Sequence, residues 1–195
     1  MFEKEKEAFE ELNRRLLKAD TELTVICAGG YVLSHYGMRT TQDIDGFFQS
    51  DPAINQMIRE VGDMFGINTP KELWLNNSIQ NLNDKPAEEI CDTVYDFSNL
   101  HVLIVPLDYV AGMKLTSARE QDIQDVAAIV RKMDIQDPDE LLNKIHRYGF
   151  FHIDESVLLE SFGIAYGMEW LEKYYLEHEE DINKRFREAE WDKET

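Results

Sequence analysis

Leu23-Thr24-Val25-Ile26-Cys27-Ala28-Gly29-Gly30, followed by Arg39-Thr40-Thr41-Gln42-Asp43-Ile44-Asp45, is the stretch that decides the fold. Leu23 to Cys27 is apolar and β-branched, the pattern of a buried strand, and Ala28-Gly29-Gly30 stops it in a tight turn. Two successive glycines let the backbone approach a ligand closely. Tyr31 to Tyr36 follows as a short helix closed by Gly37, and its first N–H groups can face an anion. Ile44 to Phe48 reads as a second strand. Asp43 and Asp45 stand at i and i+2, a spacing that puts both carboxylates on one strand face. Two such carboxylates repel each other unless a cation lies between them. Hard oxygen ligands of this kind suit Mg²⁺ or Mn²⁺. A glycine turn for phosphate beside a divalent-metal pair is the equipment of phosphoryl or nucleotidyl transfer.

Working outward, Phe9, Leu12 and Leu16 recur at helical spacing among charges, which predicts an amphipathic helix over 2–18. Asp51-Pro52 opens another helix with an N-cap acid and proline at the first position, its apolar face being Ile54, Ile58, Val61 and Phe65. Residues 66–98, rich in asparagine around Trp74 and Leu75, read as irregular structure or short elements. Val94 to Phe97 and Leu100 to Val105 are expected strands with Ser98-Asn99 as their turn. Helices are expected over 108–118 and 122–133, and from Asp137-Pro138 to Tyr148. The pattern from Asp154 to Glu190 is helical, with Gly163 and Gly167 as breaks. The fold class is therefore α/β (α+β), a mixed sheet flanked by helices with a helical C-terminal part. The division falls near residue 107 or 135, and the expected domains are 1–133 and 134–195.

Composition narrows the function. The 195 residues carry 39 Asp+Glu against 20 Lys+Arg, a net charge of −19, with 43% hydrophobic residues. That is a globular composition, and an acidic surface disfavours a broad phosphate-backbone footprint. No apolar run approaches the ~20 residues that span a bilayer, and Met1 to Lys6 alternates Glu and Lys, so no signal peptide or membrane association is expected. Cys27 and Cys91 read as free thiols of a cytoplasmic protein.

The order of apolar strand, Gly-Gly, helix and Arg-x-Thr-x-Asp-x-Asp resembles the polymerase-β-like nucleotidyltransferase superfamily. It is similar in particular to a bacterial branch near the AbiEii abortive-infection toxins. Trp74-Leu75-Asn76-Asn77 looks like that branch's Trp-Leu-Asn segment. Met113-Lys114-Leu115, Ala118-Arg119, Gln121-Asp122 and Asp125 look like its Lys-Leu-x-x-Ala-Arg-x-x-Asp-x-x-Asp helix pair. The resemblance covers roughly residues 20–132. It implies a minimal nucleotidyltransferase fold in which Gly29 and Gly30 approach a nucleoside triphosphate and Asp43 and Asp45 hold the metal ions. Arg39 and Thr41 would support phosphate or order the turn. The superfamily's third carboxylate, which activates the attacking hydroxyl, falls best on Asp96; a turn aspartate before Ser98-Asn99 is the competing reading. Where related sequences can carry an acid after Trp-Leu-Asn, this chain has Asn77, and a neutral amide can ligate but cannot serve as a base. Lys114 either contacts the nucleotide phosphates or joins Asp122 and Asp125 in an ion-pair network.

Two function classes stay open at this point. One is a Mg²⁺-dependent transferase moving a nucleoside monophosphate to RNA (tRNA above all), a protein or a small molecule, with a toxin–antitoxin or phage-defence role. The other is a catalytically silent nucleotide- or metal-binding module on the same fold. The stripe Tyr166, Trp170, Tyr174 and Tyr175 reads as core or partner-helix packing, and a homodimer or an antitoxin-type protein is the expected partner. Arg147 and His152 match a ribonuclease spacing only if both lie on one helix, which Gly149 opposes.

Overall fold

The computed structural model describes residues 2–49, 51–81 and 85–191. The chain forms two compact units, Met1–Pro106 and Leu107–Thr195. The first contains helix α1 (Phe2–Lys18), strand β1 (Leu23–Cys27), helix α2 (Gly29–His35), strand β2 (Ile44–Phe47) and helix α3 (Pro52–Phe65). Strand β3 (Leu75–Asn76), a 3-10 turn over Ser78–Asn81, another over Glu88–Ile90, and strands β4 (Asp92–Asp96) and β5 (Leu100–Ile104) complete it.

The five strands form one mixed sheet in the order β3-β2-β1-β5-β4. β1 runs antiparallel to β2 and parallel to β5, β2 runs parallel to β3, and β4 runs antiparallel to β5. This is the expected mixed-sheet α/β class. The sheet's middle is its driest part: Val25, Ile26 and Cys27 of β1 and Val102 and Ile104 of β5 are buried. Ala8, Phe9, Leu12 and Leu16 are fully buried on α1. Phe9 meets Trp74 edge-on (centroids 5.0 Å apart) and Tyr95 at 5.6 Å, a geometry that adds to the simple burial of rings. α3 starts as its sequence dictates: the Asp51 carboxylate accepts from Ile54 N–H (2.8 Å), and Pro52 fills the first turn. It ends at Gly66, whose φ of 64° is the left-handed cap that glycine adopts without steric cost. Ile54, Ile58 and Val61 are buried, and Phe65 is half-buried.

β3 is one of the short elements allowed for in the stretch 66–98. Two residues are too few to show a period; the strand exists through its pairing with β2. Trp74 clamps it in place. Its N–H donates to Asn68 Oδ1 (3.1 Å), its indole N–H donates to Ile58 O (2.9 Å), and its carbonyl accepts from Ile44 N–H (2.7 Å).

The second unit is helical: α4 (Leu107–Ser117), α5 (Glu120–Met133), α6 (Pro138–His146), α7 (Glu155–Tyr166) and α8 (Met168–Trp191). The pair α4–α5, grouped by the sequence with the first domain, packs here with the later helices, α5 against α7 and α4 against α6. Gly167, at φ 100°, separates α7 from α8 as expected. Gly163 does not break the chain. It lies inside α7, where a Cβ would stand 2.9 Å from Leu171 Cδ2, so this glycine serves close helix approach. α8 kinks at His178, whose backbone leaves helical angles and whose Nδ1–H reaches the Tyr174 carbonyl (2.9 Å). Trp170, Tyr174 and His178 stack along α8, with centroids 5.1 and 4.2 Å apart. Tyr174 is buried while Tyr175 faces outward, so the stripe is chiefly helix packing. No described helix is long and apolar enough to cross a membrane.

Candidate active site

Antiparallel pairing of β1 and β2 sets Cys27 opposite Gly46, and Ala28 N–H donates to Asp45 O at 2.9 Å. The glycine turn at the end of β1 is thereby placed beside the aspartates at the start of β2. Gly29 has a φ of 59°, and a Cβ there would stand 3.6 Å from Asp45 Oδ2. A Cβ on Gly30 would meet Arg39 Nη2 and Thr41 Oγ1, each at 3.1 Å. Six residues named from sequence thus converge here: Gly29, Gly30, Arg39, Thr41, Asp43 and Asp45. Thr41 is buried, and its hydroxyl lies 3.1 Å from both Asp43 O and Asp43 Oδ1, holding the first aspartate in orientation.

Asp45 is half-buried, and its carboxyl is pushed above the ordinary range. Burial is the largest cause, followed by the Asp43 charge; hydrogen bonds from Ser78 and Asn76 act the other way. A half-buried carboxylate beside another carboxylate is short of positive charge, which a bound cation would supply. The donor set is all oxygen and hard, which fits Mg²⁺ or Mn²⁺.

Two residues of this site escaped the sequence reading. Asn76 is the β3 register partner of Asp45. Ser78 Oγ lies 3.2 Å from Asp45 Oδ1 and 2.7 Å from Asn76 Oδ1, and Ser78 N–H donates to the same amide oxygen at 3.1 Å. Ile79, buried next to Ser78, pins this turn. The Trp-Leu-Asn resemblance pointed to the segment, but the sequence singled out Asn77 rather than Asn76, because a two-residue strand gives no register until its partner is known. Glu72, exposed and also unforeseen, adds a weak repulsive field at Asp45.

Asp96 is not brought to this site. It sits at the end of β4, pairs with His101 on β5, and bonds that ring (Oδ1 to Nδ1, 2.6 Å). His101 is in turn opposite Thr24 of β1, whereas Asp45 is opposite Ala28. Three strand spacings of about 4.8 Å and four residues of about 3.3 Å put Asp96 roughly 20 Å from Asp45. The expectation of neighbouring strands fails because β1 and β5 intervene. Among the described residues, no group of three or more His, Cys, Asp or Glu side chains is placed to hold a metal.

Lys114 lies in the second unit. Its ammonium is 2.5 Å from Asp122 Oδ1 and 2.8 Å from Asp125 Oδ2, with the lysine side chain 16% exposed. Ser117 Oγ (2.5 Å) and Arg119 N–H (3.1 Å) also donate to Asp122. Of the two readings of Lys114, the ion-pair network is the one these contacts realise. Arg147 caps α6 and His152 lies in the loop before α7, so the ribonuclease spacing is not on one helix.

No curated protein and no solved structure matches the chain significantly. The profile of a family described as "Nucleotidyltransferase of unknown function (DUF6036)" matches residues 3–179. With its Gly-Gly turn and paired aspartates inside that span, the chain belongs to this nucleotidyltransferase family.

Proposed function

We propose that the protein transfers a nucleoside monophosphate from a nucleoside triphosphate to a hydroxyl acceptor, using Mg²⁺ or Mn²⁺. The observation that carries this reading is the convergence of Gly29 and Gly30 on Asp43 and Asp45. Asp43 and Asp45 are the residues that would hold the cation, which when bound neutralises charge on the triphosphate. Gly29 and Gly30 leave the backbone bare for phosphate, since a side chain at either would enter the cradle. The Arg39 guanidinium beside Gly30 adds fixed positive charge for the same oxygens. Thr41 keeps Asp43 in its rotamer. The acceptor hydroxyl releases its proton to solvent as its oxygen bonds the α-phosphorus, the bond from that phosphorus to the oxygen bridging to the β-phosphate breaks, and pyrophosphate leaves.

The AbiEii-like segments, Trp74–Asn77 and Lys114–Asp125, support a toxin–antitoxin or defence role, with a tRNA or protein acceptor and an antitoxin-type partner or second copy of the chain. The net charge of −19 favours a small footprint on any RNA. One observation favours a second reading, nucleotide binding without transfer: the register partner of Asp45 is an amide, Asn76, which cannot take a proton from an acceptor.

The test is incubation with each α-labelled nucleoside triphosphate, Mg²⁺ or Mn²⁺, total RNA and cell extract, beside an Asp43→Ala/Asp45→Ala variant. Label transferred by the wild type and absent from the variant is the expected result, and it identifies the acceptor class. Metal-dependent nucleotide binding without transfer would select the silent module.

A further inference from the structure

We infer that the outward face of α8 docks a basic amphipathic helix of a partner protein. The face belongs to the second unit, and its occupancy can be read without any transfer activity. α8 has two unlike sides. Tyr174 and Ile182 are buried with Leu159, and Trp170 and Leu171 pack on the same cluster. On the other side Met168 and Leu176 are 72% and 70% exposed, and Tyr175 is 37% exposed. Met168, Glu172, Tyr175 and Leu176 stand at i, i+4, i+7 and i+8, all ahead of the kink at His178, so they share one helix face. A helix that meets only water carries polar side chains on such a face. This one carries three large apolar side chains around an acid, the arrangement of a surface that another element covers.

Charge decides the occupant. From Met168 to Asp181 the chain carries six acids, Glu169, Glu172, Glu177, Glu179, Glu180 and Asp181, against one lysine. All six are exposed, and Lys173 lies 3.8 Å from Glu177. Farther along, Arg185 is turned inward, 2.7 Å from Asp139 and 2.9 Å from Glu155, so it does not offset the outward acids. Apolar side chains set among carboxylates match a helix whose apolar stripe is flanked by Lys or Arg. The same charges disfavour the rivals. An anionic membrane surface or a nucleic-acid backbone would be repelled. Two copies of this face meeting across a two-fold axis would set Glu172 and its neighbours against like charge.

The probe is a fluorescein-labelled helical peptide of leucine and lysine, about 15 residues long, with its leucines at i, i+3, i+4 and i+7. Its controls are a peptide of the same composition in scrambled order and one with glutamate in place of lysine. Anisotropy titrations with the full chain at about 0.15 M salt measure affinity. Circular dichroism confirms the fold of each variant, and sedimentation equilibrium measures the oligomeric state. The chain is expected to bind the amphipathic peptide about tenfold more tightly than the scrambled one, and the glutamate peptide not at all. Met168→Ser/Leu176→Ser and Glu169→Gln/Glu172→Gln should each weaken binding about tenfold. Glu7→Gln/Glu10→Gln makes the same change in net charge at exposed positions of α1 and should leave the affinity as it was. No binding, equal affinity for the scrambled peptide, or a loss in the α8 variants no larger than in the α1 variant overturns the assignment. A wild-type dimer that Met168→Ser/Leu176→Ser dissociates gives the face to a second copy and overturns it as well.

Discussion

Replacing Lys114 by methionine should unfold the second unit far below the wild-type melting temperature. The lysine ammonium neutralises two carboxylates whose side chains are 2% (Asp122) and 7% (Asp125) exposed. Methionine keeps most of the stem's volume and removes only the charge. The variant therefore isolates the electrostatic cost. Removing one partner of a buried ion pair costs about 3–5 kcal/mol, because the other charge is left in a poor solvent. In a chain of this size a kilocalorie moves the midpoint by about 2–4 °C, so the loss is roughly 10 °C. Burial alone would raise the Asp122 carboxyl, but Lys114, Ser117 and the Arg119 N–H hold it below its ordinary range. A depressed carboxylate contributes stability that is present above its unfolded pKa and lost as pH falls through its folded one. The gap between wild type and Lys114→Met should accordingly be full at neutral pH and close in acid. Thermal melts followed by circular dichroism from neutral pH to about pH 3 measure both features. A triple variant, Lys114→Met with Asp122→Asn and Asp125→Asn, should recover most of the loss, since neutral partners no longer need the ammonium. A Lys114→Met midpoint within about 2 °C of wild type would refute the network reasoning.

Two further substitutions test the first unit. Asp45→Asn should stabilise the protein at neutral pH by about 1 kcal/mol, the usual sign at a strained functional site, while abolishing Mn²⁺ binding. Because burial and Asp43 raise the Asp45 pKa, the folded chain holds that proton more tightly than the unfolded one. The gain should therefore shrink as pH falls through the folded pKa, and urea unfolding at several pH values will show it. Gly62→Ala places a Cβ 2.0 Å from Asn68 Oδ1. Asn68 also holds Arg59 O, Asp63 and Trp74 N–H, so its displacement should cost about 1–3 kcal/mol and loosen β3. Faster amide exchange at Ile44, whose N–H bonds Trp74 O, is the readout.

What could be read in the sequence follows from how local each signal is. Val25 to Gly30 and Arg39 to Asp45 carry their own strand pattern, turn chemistry and i, i+2 spacing, so the aspartate pair and its glycine cradle were visible before any coordinates. α3 announced its start through Asp51-Pro52. Strand order is a different quantity. Nothing within Val94–Phe97 says that β5 and β1 will stand between it and β2, and an aspartate with apolar neighbours looks the same at a distance of 5 Å or 20 Å. The assignment of Asp96 failed on that missing long-range fact. The same gap hid Asn76. Its strand is two residues long, its partner lies 31 positions earlier, and its pairing depends on Trp74 reaching back to Ile58 and Ile44. Gly163 shows the converse error, where a local rule was applied correctly to the wrong cause. Glycine ends helices when it adopts positive φ, as Gly167 does, but it also sits where two helices approach too closely for a side chain. Only the position of Leu171 separates the cases. The parts of this site that a short window encodes are the charged ones, and the parts that tune those charges, Asn76 and Ser78, are supplied by tertiary pairing. A transferase and a silent binding module on this fold would therefore share the stretch from Leu23 to Asp45 and differ in what β3 and its following turn bring to Asp45.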